Sequence, residues 1–324
     1  MSCPKVSVII PIYGVEPYIE RCARSLFEQT LQDIELIFVD DCSQDNSIAI
    51  LERILKEYPE RVPNTRILHH DKNKGLPIAR HTGLLEARGE YIIHCDSDDW
   101  VLPETYQTLY FKAKETVADV VVFDIEETDG VIGLRRIVGA RTTDINQFKK
   151  DMMYMRSSWS LINKLFKRNV YDIVIEYPQV GVGEDMALTL QLISACSTMA
   201  YISTPFYKYY VVNPRSMTHN ISEIKALRRY EQDKANAEIV LRFYDRQNLI
   251  DPEFNDALNY LKWSVRKPIW GLIHKRKYFK LWKNTYPGVE RRLLKSQNVT
   301  RKEKIQMLLS YLRLYPFKRD RIVL

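Results

Sequence analysis

Short apolar segments rich in β-branched residues alternate with amphipathic segments through the first 125 residues. Apolar runs at 6–12, 34–39, 66–69, 91–95 and 119–123 predict buried strands. Between them, residues 18–28 and 47–58 carry apolar side chains at helical spacing. This alternation predicts an α/β fold with a doubly wound, mostly parallel sheet.

Polar residues follow three of the predicted strands. Tyr13 follows the first strand, Asp40 and Asp41 follow the second, and an acidic segment at 96–99 follows the fourth. Ligands of such sheets bind outside the carboxyl ends of the strands, so we expect these groups to line one crevice. An aromatic face for stacking, carboxylates for a base or ribose, and a cation site for phosphates together suit a nucleotide.

The acidic segment contains Asp96, Asp98 and Asp99 within four positions. Such close carboxylates repel one another unless they share a positive charge. Oxygen ligands favour Mg²⁺ or Mn²⁺, which commonly bind one or two carboxylates together with substrate phosphates. The alternative is a solvated acidic turn that caps the helix beginning near Pro103.

Four sequence segments carry a family resemblance. In order and spacing, VSVIIPIYG, ELIFVDDCSQDNS, KNKGLPIARHTGLLEARGEYIIHCDSDDW and GVGEDMAL resemble the family 2 glycosyltransferases of bacterial surface polysaccharide assembly, which have the GT-A type nucleotide-sugar fold. The resemblance implies a hexosyltransferase that moves a sugar, with inversion, from a nucleoside diphosphate sugar, UDP-linked, to a hydroxyl of a glycan or lipid-linked acceptor. It implies a GT-A domain at 1–220, with a nucleotide-sugar half at 1–125 and an acceptor half at 126–220, and a basic helical region at 221–324.

The resemblance also implies where the nucleotide binds. Tyr13 and Asp41 would hold the base, with Pro11 and Asp40 in the same pocket. Arg80 lies in a helical stretch leading to the acidic segment, where it would pair with Asp40 or Asp41 and orient the pocket. A surface cation on an amphipathic helix is the alternative for Arg80.

For the metal, the resemblance implies a division of roles among the three aspartates. Asp98 would bind on the ribose side as well as near the metal, and Asp99 would hold the Mn²⁺ or Mg²⁺ ion that bridges both phosphates. Asp96 completes the D-x-D motif and would bind the ion directly or through water. His81 and Gly14 stand where the family often has Asn, which affects the details of base or ribose contact.

The resemblance implies that Asp185 is the general base, in a glycine-containing loop that enters an amphipathic helix. A general base must lie within about 3 Å of the hydroxyl it deprotonates. A helix N-cap is the alternative for Asp185. Further predicted contacts to the acceptor or diphosphate are Trp159, Glu184 and Arg215. Trp159 is either a sugar-stacking platform or a core residue, and Arg215 would replace arginines that the family usually has at Val211 and Val212.

Charge is distributed unevenly along the 324 residues. Residues 262–324 contain 18 Lys and Arg against three acids, a net charge of +15, so the remainder of this +7 chain carries −8. A basic tail indicates an anionic partner such as a membrane surface or nucleic acid. Five scattered cysteines without metal-ligand spacing indicate reduced thiols in the cytosol.

Beyond residue 220 the pattern is helical, at 224–244, 252–267 and 302–314. Aromatic residues interleave with cations in the basic part: Trp263, Trp270, Tyr278, Phe279, Trp282 and Tyr286. This composition is typical of helices at a bilayer surface, and no apolar stretch reaches the roughly 18 residues of a membrane span. We therefore predict a cytoplasmic enzyme, peripheral at the inner face of the membrane. Helices packing on the core or in a homodimer are the alternative.

Two other functions compete with sugar transfer. A sugar-phosphate nucleotidyltransferase would carry a glycine-rich, basic phosphate loop after the first strand, where this chain has Pro-Ile-Tyr-Gly at 11–14. A nonenzymatic nucleic-acid-binding module would explain the basic tail through phosphate neutralisation. It would leave the acidic residues Asp96, Asp98, Asp99 and Asp185 without a role, so nucleic acid is not the predicted partner.

Overall fold

The computed structural model describes residues 3–173, 175–179, 183–212, 222–249 and 252–313. The chain forms two compact units, one of residues 1–152 and 156–217, the other of 153–155 and 218–324. Arg215, predicted to contact the diphosphate, lies outside the described residues. All five cysteines are free.

The described part of the larger unit contains a nine-stranded mixed sheet. Its strands are β1 (Val6–Ile12), β2 (Ile34–Asp40), β3 (Thr65–His69), β4 (Tyr91–His94), β5 (Trp100–Val101), β6 (Val120–Thr128), β7 (Gly133–Ile137), β8 (Lys164–Lys167) and β9 (Met199–Tyr210). The order is β3-β2-β1-β4-β8-β6-β9-β5, with β7 paired beside β6. β1 to β4 are joined by parallel pairings, and β8 lies antiparallel between β4 and β6.

Helices cover both faces of the sheet. They are α1 (Ile19–Phe27), α2 (Ser47–Leu55), α3 (Leu76–Glu86), α4 (Thr105–Thr116), α5 (Ile145–Met153) and α6 (Glu184–Ala195). Val8 and Ile10 of β1 pack in the core formed with α1, α2 and α4, while Ile9 packs in a second core with Ala79 of α3. Successive side chains of a strand point to opposite faces, so a strand covered on both sides is apolar at nearly every position. The predicted α/β architecture is confirmed.

The predicted boundary between a donor half and an acceptor half does not separate the secondary structure. β6 continues through residue 125 to Thr128 and pairs with β8, β9 and β7. Both parts of the larger unit therefore share one sheet.

The smaller unit is helical in its described residues. It contains α7 (Glu223–Arg246), α8 (Pro252–Ser264), α9 (Arg276–Asn284), α10 (Val289–Leu293) and α11 (Arg301–Tyr311). Trp263 and Trp282 are buried, and the buried Arg266 lies over the Trp282 ring at 4.4 Å and pairs with Glu290. None of the described helices combines the length and the apolar character needed to cross a bilayer.

The aromatic residues of the basic region do not form the bilayer-facing surface predicted from the sequence. Trp263, Tyr278 and Trp282 are buried, and the others are partly buried in the same unit. Aromatic rings interleaved with cations also suit a helical core in which the cations extend outward, because long cationic side chains keep only their charged ends in water.

Candidate functional site

The first two strands place the predicted base-binding residues side by side. Ile12 of β1 pairs with Asp40 of β2, and the Asp41 backbone N–H donates to the Ile12 carbonyl at 2.9 Å. Tyr13 therefore follows β1 beside Asp41, and its side chain is 55% exposed. Pro11 is buried in β1. An exposed ring at the carboxyl edge of the sheet is available for stacking.

The Asp41 carboxylate is occupied by its own chain. It is 3% exposed and accepts from the Lys74 N–H at 2.7 Å and the Gly75 N–H at 2.8 Å. The Nδ1 atom of His70 lies 2.7 Å from the same carboxylate. Asp40 similarly accepts from a backbone N–H, that of Ser43. The bonds to Asp41 hold the loop before α3 against the end of β2.

Asp99 is the most enclosed of the three clustered aspartates. Its side chain is fully buried, and its two oxygens accept from the Tyr207 hydroxyl at 2.8 Å and from the Tyr210 N–H at 2.7 Å. Burial, followed by the charges of Asp98 and Asp96, raises the pKa of Asp99 well above its usual value. This geometry argues against the predicted direct coordination of a metal by Asp99. Asp99 instead ties the acidic segment at 96–99, which forms a turn after β4 and is called the acidic turn below, to β9. Asp96 and Asp98 are partly exposed.

Arg21 of α1 also contacts the acidic turn. Its Nη2 donates to the Asp98 carbonyl at 3.2 Å, and its guanidinium lies 3.6 Å from the centre of the Trp100 ring and 4.7 Å from that of Tyr210. Sequence reasoning missed Arg21, because one arginine in an amphipathic helix carries no local signal of this contact.

Glu184 and Asp185 open α6. Gly183 precedes them with a left-handed φ of +80° and occupies the N-cap, so the N-cap alternative for Asp185 is wrong. Burial raises the pKa of Glu184, and the neighbouring Asp185 charge adds to this rise. Burial also raises the pKa of Asp185, against the opposing charge of Arg80. The helix dipole favours the ionised form of acids in the first turn of a helix. Burial and the dipole therefore act in opposite directions on the pKa values of Glu184 and Asp185.

Arg80 joins the acidic turn to the start of α6. Its side chain is 2% exposed, and Nη2 lies 3.0 Å from Asp96 Oδ1, 3.6 Å from Glu184 Oε1 and 3.7 Å from Asp185 Oδ1. The predicted pairing of Arg80 with Asp40 or Asp41 is therefore wrong, and so is the surface-cation alternative. The three carboxylates raise the pKa of Arg80 against the effect of burial, so the guanidinium stays charged.

Lys164 of β8 fixes the chain beside Asp185. Its buried Nζ donates to the carbonyls of Ser158 and Ser160, at 2.9 and 2.7 Å, and to Asn163 Oδ1 at 2.8 Å. Burial lowers the pKa of Lys164 to about 7, and the nearby Asp185 carboxylate opposes this shift. Three acceptors match the three N–H groups of an ammonium ion, which favours the charged form.

Trp159 is held in place by its neighbours. Its indole Nε1 donates to the Met152 carbonyl at 2.7 Å, and its own carbonyl accepts from the Thr189 hydroxyl of α6 at 2.6 Å. The ring is only partly buried. These bonds attach the segment before β8 to α5 and to α6, so Trp159 has a structural role whatever else it contacts.

The carboxylate oxygens of the acidic turn suit a hard cation that also binds a substrate. Among the described residues, no group of three or more His, Cys, Asp or Glu side chains is arranged to hold a metal ion alone. Asp96 and Asp98 nevertheless supply two partly exposed carboxylates at one turn. Mg²⁺ and similar ions are commonly held by one or two carboxylates, with the remaining ligands from water and substrate phosphates.

A family model agrees with this arrangement of residues. The model for glycosyl transferase family 2 matches residues 7–171, which include β1 to β4, the acidic turn and β8. The chain belongs to glycosyltransferase family 2. This family 2 glycosyltransferase is 44% identical over 118 residues to the uncharacterized glycosyltransferase EpsJ of Bacillus subtilis strain 168. The match spans 36% of the chain and 33% of EpsJ.

Solved structures resemble this family 2 glycosyltransferase over most of its length. S. aureus TarS 1-349 in complex with UDP has a TM-score of 0.67 at 21% identity, covering 96% of this chain and 88% of that one. The mannosyltransferase PcManGT from Pyrobaculum calidifontis, in complex with GDP-Man and Mn²⁺, has a TM-score of 0.55 at 13% identity, covering 97% and 88%. Likeness at such identity shows the fold, and it confirms the predicted GT-A fold with a C-terminal helical region.

Proposed function

We propose that this chain is an inverting, metal-assisted glycosyltransferase that moves a sugar from a UDP-linked donor to a hydroxyl of a glycan or lipid-linked acceptor. The observation that carries the proposal is the position of Arg80, which contacts the acidic turn through Asp96 and the α6 acids through Glu184 and Asp185. A site for the leaving diphosphate and a base for the acceptor would thus lie beside each other. The UDP bound to TarS and the Mn²⁺ and GDP-Man bound to PcManGT support this chemistry.

In this proposal the donor binds along the carboxyl edge of β1, β2 and β4. The exposed Tyr13 ring stacks on the base, and Asp41 and Asp40, with Pro11, form the pocket beneath it. Asp96 and Asp98 would hold Mn²⁺ or Mg²⁺ together with the two phosphates. The bound ion would stabilise the negative charge that develops on the departing diphosphate. Asp99 would not bind the ion itself but would position the acidic turn, because both its oxygens accept hydrogen bonds from β9.

Asp185 is the proposed general base. Its carboxylate takes the proton from the acceptor hydroxyl as that oxygen bonds to the anomeric carbon, and the bond from this carbon to the diphosphate oxygen breaks. Attack opposite the leaving group inverts the configuration. A base works best with a pKa near the working pH, and burial raises the pKa of Asp185 in this direction. Glu184, in the same buried cluster, is a proposed contact for the acceptor or diphosphate.

The pH dependence of transfer tests the role of Arg80. Asp185 must be ionised to act as a base, so the rate rises as pH increases through its raised pKa. Arg80 lowers that pKa. Removing the guanidinium in Arg80→Gln therefore raises the carboxyl pKa further, and the ascending limb of kcat against pH moves up by about one to three units.

The matched variant for this experiment is Arg80→Lys. It keeps the positive charge but loses the planar guanidinium, so we expect the limb to return toward its wild-type position while kcat stays reduced. A limb that stays at its wild-type pH in Arg80→Gln would contradict the electrostatic role of Arg80.

Donor binding tests the proposed function. The chain is heated with a panel of nucleoside diphosphate sugars, each with and without Mn²⁺, and the unfolding temperature is recorded. A ligand that binds only the folded state raises this temperature with concentration. We expect a metal-dependent rise with UDP-sugars, selective for one sugar, and transfer of that sugar to an acceptor. No stabilisation by any nucleotide sugar would refute the proposal.

The proposed setting is the cytoplasmic face of a membrane, with a lipid-linked acceptor and anionic lipids as partners. The net charge of +15 across residues 262–324 supports an anionic surface as partner. Each cation near such a surface contributes about 1 kcal/mol.

A further inference from the structure

One face of α11 leaves apolar side chains in solvent. Ile305 is 47% exposed, Leu308 46%, Tyr311 46% and Leu312 59%. Ile305, Leu308 and Leu312 are three and four residues apart, a spacing that aligns side chains along one face of a helix. The opposite face is anchored, since Met307 and Ser310 are fully buried. We call Ile305, Leu308, Tyr311 and Leu312 the α11 stripe.

Cations surround the α11 stripe. Arg301 and Lys302 are exposed in the first turn of α11, and Lys304 is partly exposed. The Lys283 ammonium of α9 lies 5.1 Å from the centre of the Tyr311 ring. The apolar side chains are therefore bordered by positive charge along the helix and from a neighbouring helix.

The acid of α11 faces away from this surface. Glu303 completes a capping box, in which its carboxylate accepts from the Thr300 N–H at 2.8 Å, and it also accepts from the Tyr260 hydroxyl. The Glu303 carboxylate is thus bonded to the start of α11 and to α8, and it does not border the α11 stripe. A stripe of apolar side chains with a cationic border matches a helix lying at an anionic bilayer.

Other occupants fit this surface less well. A second copy of the chain packed through the same stripe would bring two surfaces bordered by Arg301, Lys302 and Lys304 together, and like charges oppose such pairing. The chain beyond Arg313 is itself cationic, with Lys318, Arg319 and Arg321 against Asp320. Charge complementarity therefore favours an anionic partner.

We infer that the α11 stripe is a membrane-docking surface that inserts into the headgroup region of an anionic bilayer, with Arg301, Lys302 and Lys304 over the lipid phosphates. This inference deepens the proposed function and rests on it for the membrane-bound acceptor. The α11 stripe takes the place of the aromatic residues that the sequence predicted as the membrane contact. Lipid binding and donor binding are measured separately, so an experiment can refute the membrane-docking surface without refuting the proposed function, and the reverse.

Co-sedimentation of the full chain with vesicles tests the inference. We expect binding to vesicles that contain phosphatidylglycerol, weaker binding at raised salt, and none to phosphatidylcholine alone. The variant Ile305→Asp with Leu308→Asp should lower the partition coefficient at least about tenfold. Arg301→Gln with Lys302→Gln should lower it about fivefold per cation.

The matched control is Val117→Asp with Val131→Asp, which adds the same charge at exposed apolar positions of the larger unit. We expect the control to bind vesicles like the wild type. Stabilisation by UDP and Mn²⁺ without vesicles, expected to be equal in all variants, shows that they are folded and tests the proposed function separately. Equal vesicle binding by wild type and the α11 variant would overturn the inference. So would absence of wild-type binding, or a wild-type dimer that the α11 variant converts to monomer without any change in vesicle binding.

Discussion

Replacing Asp185 with Asn is expected to lower kcat for sugar transfer about a thousandfold, within the range that general acid–base catalysis contributes. Asn keeps the size of the side chain but cannot take a proton from the acceptor. Because the carboxylate acts on the acceptor in the transition state, the Kd of the donor should remain near the wild-type value. Steady-state transfer kinetics and donor titration on the same sample measure both quantities.

Asp172→Asn is the matched control for Asp185→Asn. Asp172 is an exposed acid between β8 and α6, so its amide variant should keep wild-type kinetics. Glu184→Gln provides a second comparison, because Glu184 lies beside Arg80 without being the proposed base. Wild-type turnover by Asp185→Asn, with loss of turnover in Glu184→Gln, would contradict the assignment of the base.

The second large effect is expected at the acidic turn. Asp98→Asn should abolish the tightening of donor binding by Mn²⁺, because a neutral amide is a poor ligand for a hard cation. Asp99→Asn should weaken metal-dependent binding less, by about 10- to 100-fold, as expected for a residue that positions a ligand from outside the metal shell. Calorimetric titration of UDP with and without Mn²⁺ measures both variants.

Asp33→Asn serves as the control for the variants of the acidic turn. Asp33 lies at the amino end of β2, away from the carboxyl ends where the acidic turn lies, and it pairs with Lys5. We expect it to bind UDP and Mn²⁺ like the wild type. An Asp99 variant that loses metal-dependent binding completely, beside an Asp98 variant that keeps it, would reverse the proposed roles of the two residues.

The first four strands and two helices were predictable because their patterns are local. Strands buried on both faces are apolar throughout, and the helix predicted at 18–28 is α1, which buries Ile19, Cys22, Ala23 and Leu26 at helical spacing. The gathering of Tyr13, Asp41 and the acidic turn at one edge followed from the parallel arrangement of β1, β2 and β4. Strands such as β5, with two residues, and β7, with an exposed surface, leave too weak a pattern to be recognised.

The partners within the site were not predictable from local patterns. Arg80 and Asp185 are far apart in the chain, and their proximity depends on how α3 and α6 pack. Likewise, the burial of Asp99 depends on β9, which brings Tyr207 and Tyr210 to the acidic turn. Three aspartates within four positions look alike in sequence, yet Asp99 is buried while Asp96 and Asp98 are partly exposed.

Local sequence patterns also do not decide how the basic region folds. Aromatic and cationic residues alternate there, and composition alone does not distinguish a helical core with a charged exterior from a surface that enters a membrane. Burial of Trp263 and Trp282 decides in favour of a core. Among the described residues, the α11 stripe is an apolar surface that remains exposed, and the sequence pattern alone did not distinguish it from a buried helix face.

The most direct test is a crystal structure of the chain soaked with UDP and Mn²⁺, with data collected at a wavelength where manganese scatters anomalously. We predict a manganese peak within coordination distance of the Asp98 carboxylate, between it and the UDP diphosphate, with the uracil over Tyr13. Asp99 should still be bonded to Tyr207. A manganese peak or a diphosphate away from the Asp96–Asp98 turn would contradict the proposed donor site.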